Sequence, residues 1–288
     1  MVITKIKHGL GNQLFQYAAG RSLARQLDTQ LILDTSDYSP SSFRQYKLNH
    51  FGISQPILGP LAGFAIRKLR RRWLSPIRLL AQNCGVIRLV KDKERGFDET
   101  LPGQGKNLHL DGYWQSERYF ADLRGTLLAE LTLPAPTQPE AGRMWARMNE
   151  EISVCVHIRR GDYVSTIDGQ THRATCGLDY YAAAMAYLEE RVAGAKYYLF
   201  SDDPVWVQAN FTPAADRVIV SSPLTGSDIE DFSLMMNCRH FIIANSTFSW
   251  WAAWLGKQPD KIVIAPRHWY RSQRNTDKDL VPDHWVRL

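Results

Sequence analysis

The sequence is poor in the residues that would cross-link it. Among its 288 residues are four cysteines, Cys84, Cys155, Cys176 and Cys238. They form no C-x-x-C pair and no zinc spacing, which argues against a disulfide framework or a structural metal. No apolar run approaches the roughly 20 residues that a membrane-spanning helix needs. Lys5, Lys7 and His8 interrupt the apolar start, so the opening does not read as a secretory signal, and a reducing, cytoplasmic location is the expectation. There is no internal repeat and no low-complexity tract. An excess of one charge is also missing: 35 basic and 29 acidic residues leave a net charge of +6. That balance suits an anionic ligand or membrane surface and is too weak to imply nucleic acid, so no nucleic-acid partner is expected. What remains is ordinary for a globular chain, 44% hydrophobic and 22% charged, and long enough for two modest domains.

One more absence shapes the reading. Residues 6 to 34, I-K-H-G-L-G-N-Q-L-F-Q-Y-A-A-G-R-S-L-A-R-Q-L-D-T-Q-L-I-L-D, run strand, glycine turn, helix, strand and terminal acid. This is close to a dinucleotide fingerprint, with Asp34 in the place of the ribose acid. Leu14, however, stands where the third glycine belongs, and that disfavours a nicotinamide oxidoreductase. No cofactor is expected.

The pattern predicts a strand over 2–6, a helix over about 14–26 and a strand over 31–34. Pro134, Pro136 and Pro139 mark the best interdomain linker. Domains are therefore expected at 1–135 and 150–288, with the last residues able to pack back on the first. Beyond the linker, strands are expected at 154–158, 197–200, 218–220, 241–244 and 262–265, with helices at 179–193, 204–210, 228–238 and 247–256. In the third of these, Ile229, Phe232 and Met236 fall on one helical face. Alternating strands and helices predict an α/β chain with a parallel sheet, whose ligands bind beyond the carboxyl ends of the strands.

Three loops lie at such ends. In V-C-V-H-I-R-R-G-D-Y, residues 154–163, strand alternation sends His157 and Arg159 to the same side, with Arg160 and Asp162 on the loop. Paired guanidinium groups suit phosphate oxygens and a diphosphate leaving group; a surface arginine pair bridged to Asp162 is the plain alternative. In L-F-S-D-D-P, Asp202 and Asp203 end a strand, where a carboxylate either meets a nucleoside or caps the helix entered at Pro204. The pair is adjacent and does not match D-x-D. In F-I-I-A-N-S-T-F-S-W-W-A-A-W-L-G, a strand ends at Asn245 and a helix begins at Ser246 or Thr247. That turn is either an anion site or a simple Ser246 cap. Trp250, Trp251 and Trp254 are expected in the core.

Together these pieces resemble the alpha-1,2-fucosyltransferases, glycosyltransferase family 11. The matching segments are H-G-L-G-N-Q-L-F-Q-Y-A-A at 8–19, G-Y-W-Q-S-E-R-Y-F at 112–120 and V-H-I-R-R-G-D-Y at 156–163. F-S-D-D at 200–203 and I-A-N-S-T-F-S-W-W-A-A-W at 243–254 complete the set, in order over most of the chain. The resemblance implies a GT-B-type α/β architecture, two Rossmann-like domains facing a cleft, with GDP-fucose bound by the C-terminal half without a metal. It implies that Arg159 contacts the diphosphate, with Arg160 beside it, and His157 the ribose or phosphate. Asp202 would serve the nucleoside, and Asn245, Ser246, Thr247 and Phe248 the phosphates and base. Asn12 would face the fucose, Trp114 and Gln115 the acceptor side, and Asp34 would be a strand-end residue near the acceptor cleft. The reaction implied is inverting transfer of L-fucose from GDP-β-L-fucose to the 2-hydroxyl of a galactose-terminated glycan. A fucosyltransferase of another linkage, or a non-catalytic GDP-sugar or glycan-binding module, is the alternative. A general base would supply roughly 10²–10⁴-fold; Asp37, Asp162 and Asp168 are the candidates.

Residues 65–80, A-I-R-K-L-R-R-R-W-L-S-P-I-R-L-L, place Ile66, Leu69, Trp73 and Ile77 on one side of a helix beside a cationic face. Such a stripe serves either a weak peripheral contact with the inner membrane face or, as the favoured reading, the core of the N-terminal domain.

Overall fold

The computed structural model describes residues 1–69, 87–92, 96–161, 176–211, 216–221, 225–270 and 277–288. The chain divides into two compact units, Met1–Thr132 with Lys278–Leu280, and Leu133–Asp277 with Val281–Leu288.

Unit 1 contains β1 (Val2–Lys5), α1 (Leu10–Gln26), β2 (Leu31–Asp34), α2 (Pro60–Leu69), β3 (Arg88–Lys91), β4 (Leu108–Asp111) and α3 (Arg124–Glu130). Its sheet has the order β2-β1-β4-β3, every pair parallel. Helix α1 starts at Leu10, four residues before the expected Leu14. Gly9 is extended, and its carbonyl already accepts the N–H groups of Asn12 and Gln13, so the glycine turn is itself the first helical turn. Leu14, Phe15, Tyr17, Ala18 and Leu23 are buried along α1. The start of the 65–80 stripe lies in α2, where Ile66 is buried with Ile3 and Ile87; residues 70–80 lie outside the described residues.

Unit 2 contains α4 (Pro139–Glu150), β5 (Ile152–Ile158), α5 (Leu178–Glu189), β6 (Ala195–Ser201), α6 (Pro204–Asn210), β7 (Arg217–Ile219), α7 (Asp228–Met236), β8 (His240–Ile242), α8 (Thr247–Leu255), β9 (Val263–Ala265) and β10 (Val286–Arg287). The all-parallel order β10-β9-β8-β5-β6-β7 is the doubly wound order of a Rossmann sheet. Central strand β5 is buried on both faces from Ser153 to Ile158, as a parallel sheet covered by helices requires. Trp250, Trp251 and Trp254 are core residues in mutual ring contact, the first and third stacked with centroids 6.3 Å apart. In α7 the buried residues are Phe232, Ser233, Leu234 and Met235; Ile229 and Met236 sit at the edge of a wider buried arc than their spacing suggested. Cys155, Cys176 and Cys238 are free thiols. The fold class is α/β and GT-B-type in its components, two Rossmann-like parallel units in one chain.

Gly20 shows how closely α1 lies on its sheet. A Cβ there would stand 2.0 Å from Thr4 Oγ1 and 3.1 Å from Leu31 Cδ1. Thr4 is fully buried in β1 and cannot swing away. Gly20→Ala is expected to destabilise unit 1 by about 1–3 kcal/mol, read as a lowered melting temperature. An unchanged or raised value would mean that α1 shifts off the sheet at no cost.

Candidate functional site

In unit 2 the chain moves outward from β5 through β6 to β7, then returns to build β8, β9 and β10 on the other side. The reversal leaves a crevice beyond the carboxyl ends of β5 and β8. β5 delivers His157, Arg159 and Arg160 to that edge, and the segment after β8 delivers Asn245, Ser246, Thr247 and Phe248. The two sides meet where the His157 and Phe248 rings lie with centroids 5.9 Å apart.

The adjacent aspartates divide their labour. Asp202 Oδ2 pairs with Arg159 Nη1 at 2.9 Å, and its Oδ1 accepts the Arg160 backbone N–H at 2.9 Å. Asp203 caps α6, accepting the Trp206 N–H at 3.1 Å, and its other oxygen receives Arg160 Nε at 3.4 Å. The Arg160 guanidinium lies over the Trp206 ring, 4.0 Å from its centroid. The arginine pair is thus held from the end of β6 by Asp202 and Asp203; Asp162, the partner in the surface-pair alternative, lies outside the described residues, as does Asp168. Gly161 is required by close approach, since a Cβ there would stand 2.3 Å from Asp202 Oδ2. Arg159 and Asp202 keep 18% and 26% of their side-chain surface exposed, so the pair is held yet reachable.

Beyond β8, two side chains expected to meet ligand serve the turn itself. Asn245 is buried and donates from Nδ2 to the Trp269 carbonyl at 2.9 Å. Ser246 Oγ accepts the Phe248 N–H at 3.3 Å as the N-cap of α8. What the turn offers outward is the first-turn backbone and the positive end of the helix dipole, with Thr247 and Phe248 half-buried beside it. His157 is buried, and burial, with Arg159 adding, pushes its imidazole down to about 3. It is therefore neutral near pH 7. Its Nδ1 is buried with no hydrogen-bond partner among the described residues.

Unit 1 has its own reversal, between β1 and β4. Asn12, in the first turn of α1, accepts Gln115 Nε2 on Oδ1 at 2.8 Å, so two of the expected side chains are brought together. Trp114 is different: it is 1% exposed and packs edge-on against Tyr119. The exposed aromatic of the G-Y-W-Q segment is its neighbour Tyr113, which the motif alone did not single out. Asp34 is also more deeply placed than its strand-end position suggested. It ends β2 as expected, but it is 2% exposed and accepts His109 Nε2 at 2.9 Å, so its carboxylate is engaged in the core. Burial raises the Asp34 carboxyl, but hydrogen bonds from His109 and Ser36 outweigh this and hold it at about 2. Asp37 lies at the surface, paired with Lys5 Nζ at 2.6 Å.

The class these features define is a two-unit α/β glycosyltransferase. A family model described as Glycosyl transferase family 11 matches residues 1–288, and the chain belongs to that family. It is 31% identical over 297 residues to an alpha-1,2-colitosyltransferase of Escherichia coli, covering 100% of this chain and 99% of that protein. It is 26% identical over 306 residues to a galactoside 2-alpha-L-fucosyltransferase of Caenorhabditis elegans, covering 100% of this chain and 79% of that protein. Among solved structures, the fucosyltransferase NodZ from Bradyrhizobium is similar with a TM-score of 0.46 at 17% identity, over 87% of this chain and 91% of that one.

The state of His157 is measurable. Its ring-proton NMR signals are expected to stay unshifted between about pH 5 and 8, because its folded value, about 3, lies well below the ordinary 6.5. Unfolding exposes the ring to protonation below about pH 6.5, so stability is expected to fall with acid from there toward pH 3, by up to roughly 1.4 kcal/mol per pH unit. A His157 resonance titrating near 6.5 would show instead that the ring is solvated.

Proposed function

We propose that the protein is an inverting fucosyltransferase that moves L-fucose from GDP-β-L-fucose to the 2-hydroxyl of a terminal β-galactoside without a metal. The observation that carries this reading is Arg159, fixed by Asp202 just past the strand whose His157 ring meets Phe248 in the first turn of α8. A glycosyl donor reacts by breaking the bond from its anomeric carbon to the diphosphate oxygen while positive character grows on the sugar. Guanidinium groups and helix N–H donors aimed at the departing oxygens lower that barrier most where the charge is developing. On this reading Arg159 and Arg160 take the diphosphate and the α8 turn adds its N–H groups. The orphaned His157 Nδ1 meets a hydroxyl or phosphate oxygen of the nucleotide, and Phe248 lies against the base. Asn12 and Gln115 of unit 1 serve the sugars. Asp37 is the proposed base, taking the proton of the attacking hydroxyl.

Metal independence is supported by where the carboxylates go. Asp202 and Asp203 are occupied by the arginines and by a helix cap. The D-x-D triplet at 277–279 is likewise engaged: Asp277 pairs with Arg287 and the Trp269 N–H, Asp279 with Arg118 and the Phe97 N–H.

The relative named a colitosyltransferase favours a second donor. Colitose is L-fucose without its 3-hydroxyl, so a site that hydrogen-bonds this group discriminates strongly against the deoxy sugar, whereas an apolar wall does not. Comparing kcat/KM for GDP-fucose and GDP-colitose separates the two. No membrane contact through residues 65–80 is expected. Because Ile66 is spent in the core, the protein is expected to stay in the supernatant with anionic vesicles at low salt. Co-sedimentation that is lost on replacing Arg70, Arg71 and Arg72 with glutamate would reinstate that partner.

The activity test is release of GDP and formation of a fucosylated galactoside with chelator present, the linkage read by NMR. Loss of turnover in chelator, restored by manganese, would overturn the metal-free claim; GDP-fucose binding without turnover would leave a binding module. Arg159→Lys is expected to cost roughly 10²-fold or more in kcat while the fold survives, because a point charge does not replace the fork. Asn12→Ala should lower turnover with GDP affinity unchanged by calorimetry; weakened GDP binding would move Asn12 to the nucleotide.

A further inference from the structure

Among the described residues, the non-glycine residues with positive φ are His8 at 67°, Asp28 at 47° and Trp114 at 54°. Asp28 follows the C-terminus of α1, where a left-handed residue is routine. His8 and Trp114 have no such excuse, and a bulky residue in this region is strained by on the order of 1–3 kcal/mol. The two stand at the carboxyl ends of β1 and β4, the neighbouring strands between which the order of the unit 1 sheet reverses.

The strain is over-determined by its surroundings. The His8 carbonyl accepts both Gln13 Nε2 and the Tyr38 hydroxyl, each at 2.8 Å. On the other strand, Asp92 Oδ2 accepts the backbone N–H groups of Tyr113 at 3.0 Å and Trp114 at 2.9 Å. Gly112 before them is obligatory, since a Cβ there would lie 2.2 Å from the Asp92 Cβ. This turn drives Trp114 into the core and leaves Tyr113 outside, 38% exposed. The His8 and Tyr113 rings then sit 5.5 Å apart, with His8 Nε2 3.2 Å from the Tyr113 hydroxyl, and Lys7 Nζ lies 5.1 Å from the Tyr113 ring centroid. The result is a partly exposed aromatic ring with the Lys7 ammonium over it and the His8 ring beside it, built at a backbone cost on both sides.

Resting on the proposed function for the identity of the acceptor, we infer that Tyr113 and His8 form the acceptor-sugar subsite. The Tyr113 ring takes the C–H face of a terminal β-galactoside, and His8 hydrogen-bonds one of its hydroxyls. A β-galactoside suits such a plate because its axial 4-hydroxyl leaves a continuous patch of C–H groups on the opposite face. An aromatic ring with polar groups at its rim meets both halves of that sugar. Desolvation and the nearby Lys7 lower the His8 imidazole from its ordinary value, which favours its neutral form.

The experiment uses the whole protein, with methyl β-galactoside and lactose as acceptors and methyl β-glucoside as the control lacking the axial hydroxyl. Tyr113→Ala is expected to raise the acceptor KM roughly tenfold or more with kcat and GDP affinity little changed. Tyr113→Phe should restore a near wild-type KM, because the plate remains. Saturation-transfer NMR should show contacts to the galactoside C–H face in wild type and in Tyr113→Phe, and none in Tyr113→Ala; His8→Ala should weaken them. An unchanged acceptor KM and unchanged NMR contacts in folded Tyr113→Ala would overturn the subsite. A wild type that hydrolyses GDP-fucose but binds no galactoside would also overturn it, leaving the donor reading standing. One that binds galactoside through Tyr113 but turns over no GDP-fucose would overturn the donor reading and leave the subsite.

Discussion

Parallel strands cannot be joined by tight turns; each must be followed by a crossover, so all strands of a parallel sheet leave it at the same edge. Both sheets of this protein are wholly parallel, and that constraint gathers its chemistry at two edges. It explains why the segments that reach these edges are short and far apart in sequence: 157–161, 202–203 and 245–248 in one unit, 7–12 and 111–115 in the other. Within each edge, the place where the strand order reverses is where sheets of this kind take their ligands. In unit 2 this place receives the arginines and a helix N-terminus; in unit 1 it receives the strained His8 and Trp114. The residues that keep these edges in shape are chiefly those that cannot be larger or cannot be apolar: Gly112 and Gly161 by close approach, Asp92 and Asp202 by the N–H groups they accept.

How much of this could be read from residues alone varied with how local each signal was. Strands β5 and β6 are long apolar runs and were legible, as were α6 and α8, which open with a proline or serine signal. β4 was not, because L-H-L-D contains a histidine; only Asp34, from a strand two positions away in the sheet, makes His109 core material. The helix α4 was hidden in the proline-rich linker, although Pro139 is a proline at the first turn, where it starts a helix as readily as it ends one. At the site, the arginine loop was legible as a phosphate-type motif. Its partners were not, since Asp202 is brought to Arg159 by the β5–β6 pairing and by nothing in the local sequence. The choice between Tyr113 and Trp114 turned on one backbone angle, which period-based reading does not reach.

The charge arrangement in the unit 2 crevice concerns position more than stability. Arg159, Arg160, Asp202 and Asp203 sum to zero, and partly exposed ion pairs of this kind contribute little, of the order of 0–1 kcal/mol each. Long side chains otherwise lose rotamer freedom when they bind, and holding them beforehand removes that cost from the binding step. His157 fits the same logic. A third positive charge between the guanidinium groups and the helix dipole would repel both, and burial prevents it by keeping the ring neutral.

Unit 1 uses a buried pair for a related purpose. Asp34 ends β2 and His109 sits in β4, with β1 between them, so their hydrogen bond clamps together the strands that flank β1. Buried hydrogen bonds to a carboxylate are poor evidence of net stability, because desolvation consumes much of the attraction. Their geometry is demanding, however, and a register shift of either strand would leave a charge unpaired in the core. The chain that leaves β1 next is Ile6, Lys7 and the strained His8, whose conformation persists only while both its neighbours are fixed. The Asp34–His109 pair thus holds β1, the strand from which His8 leaves, between its two neighbours.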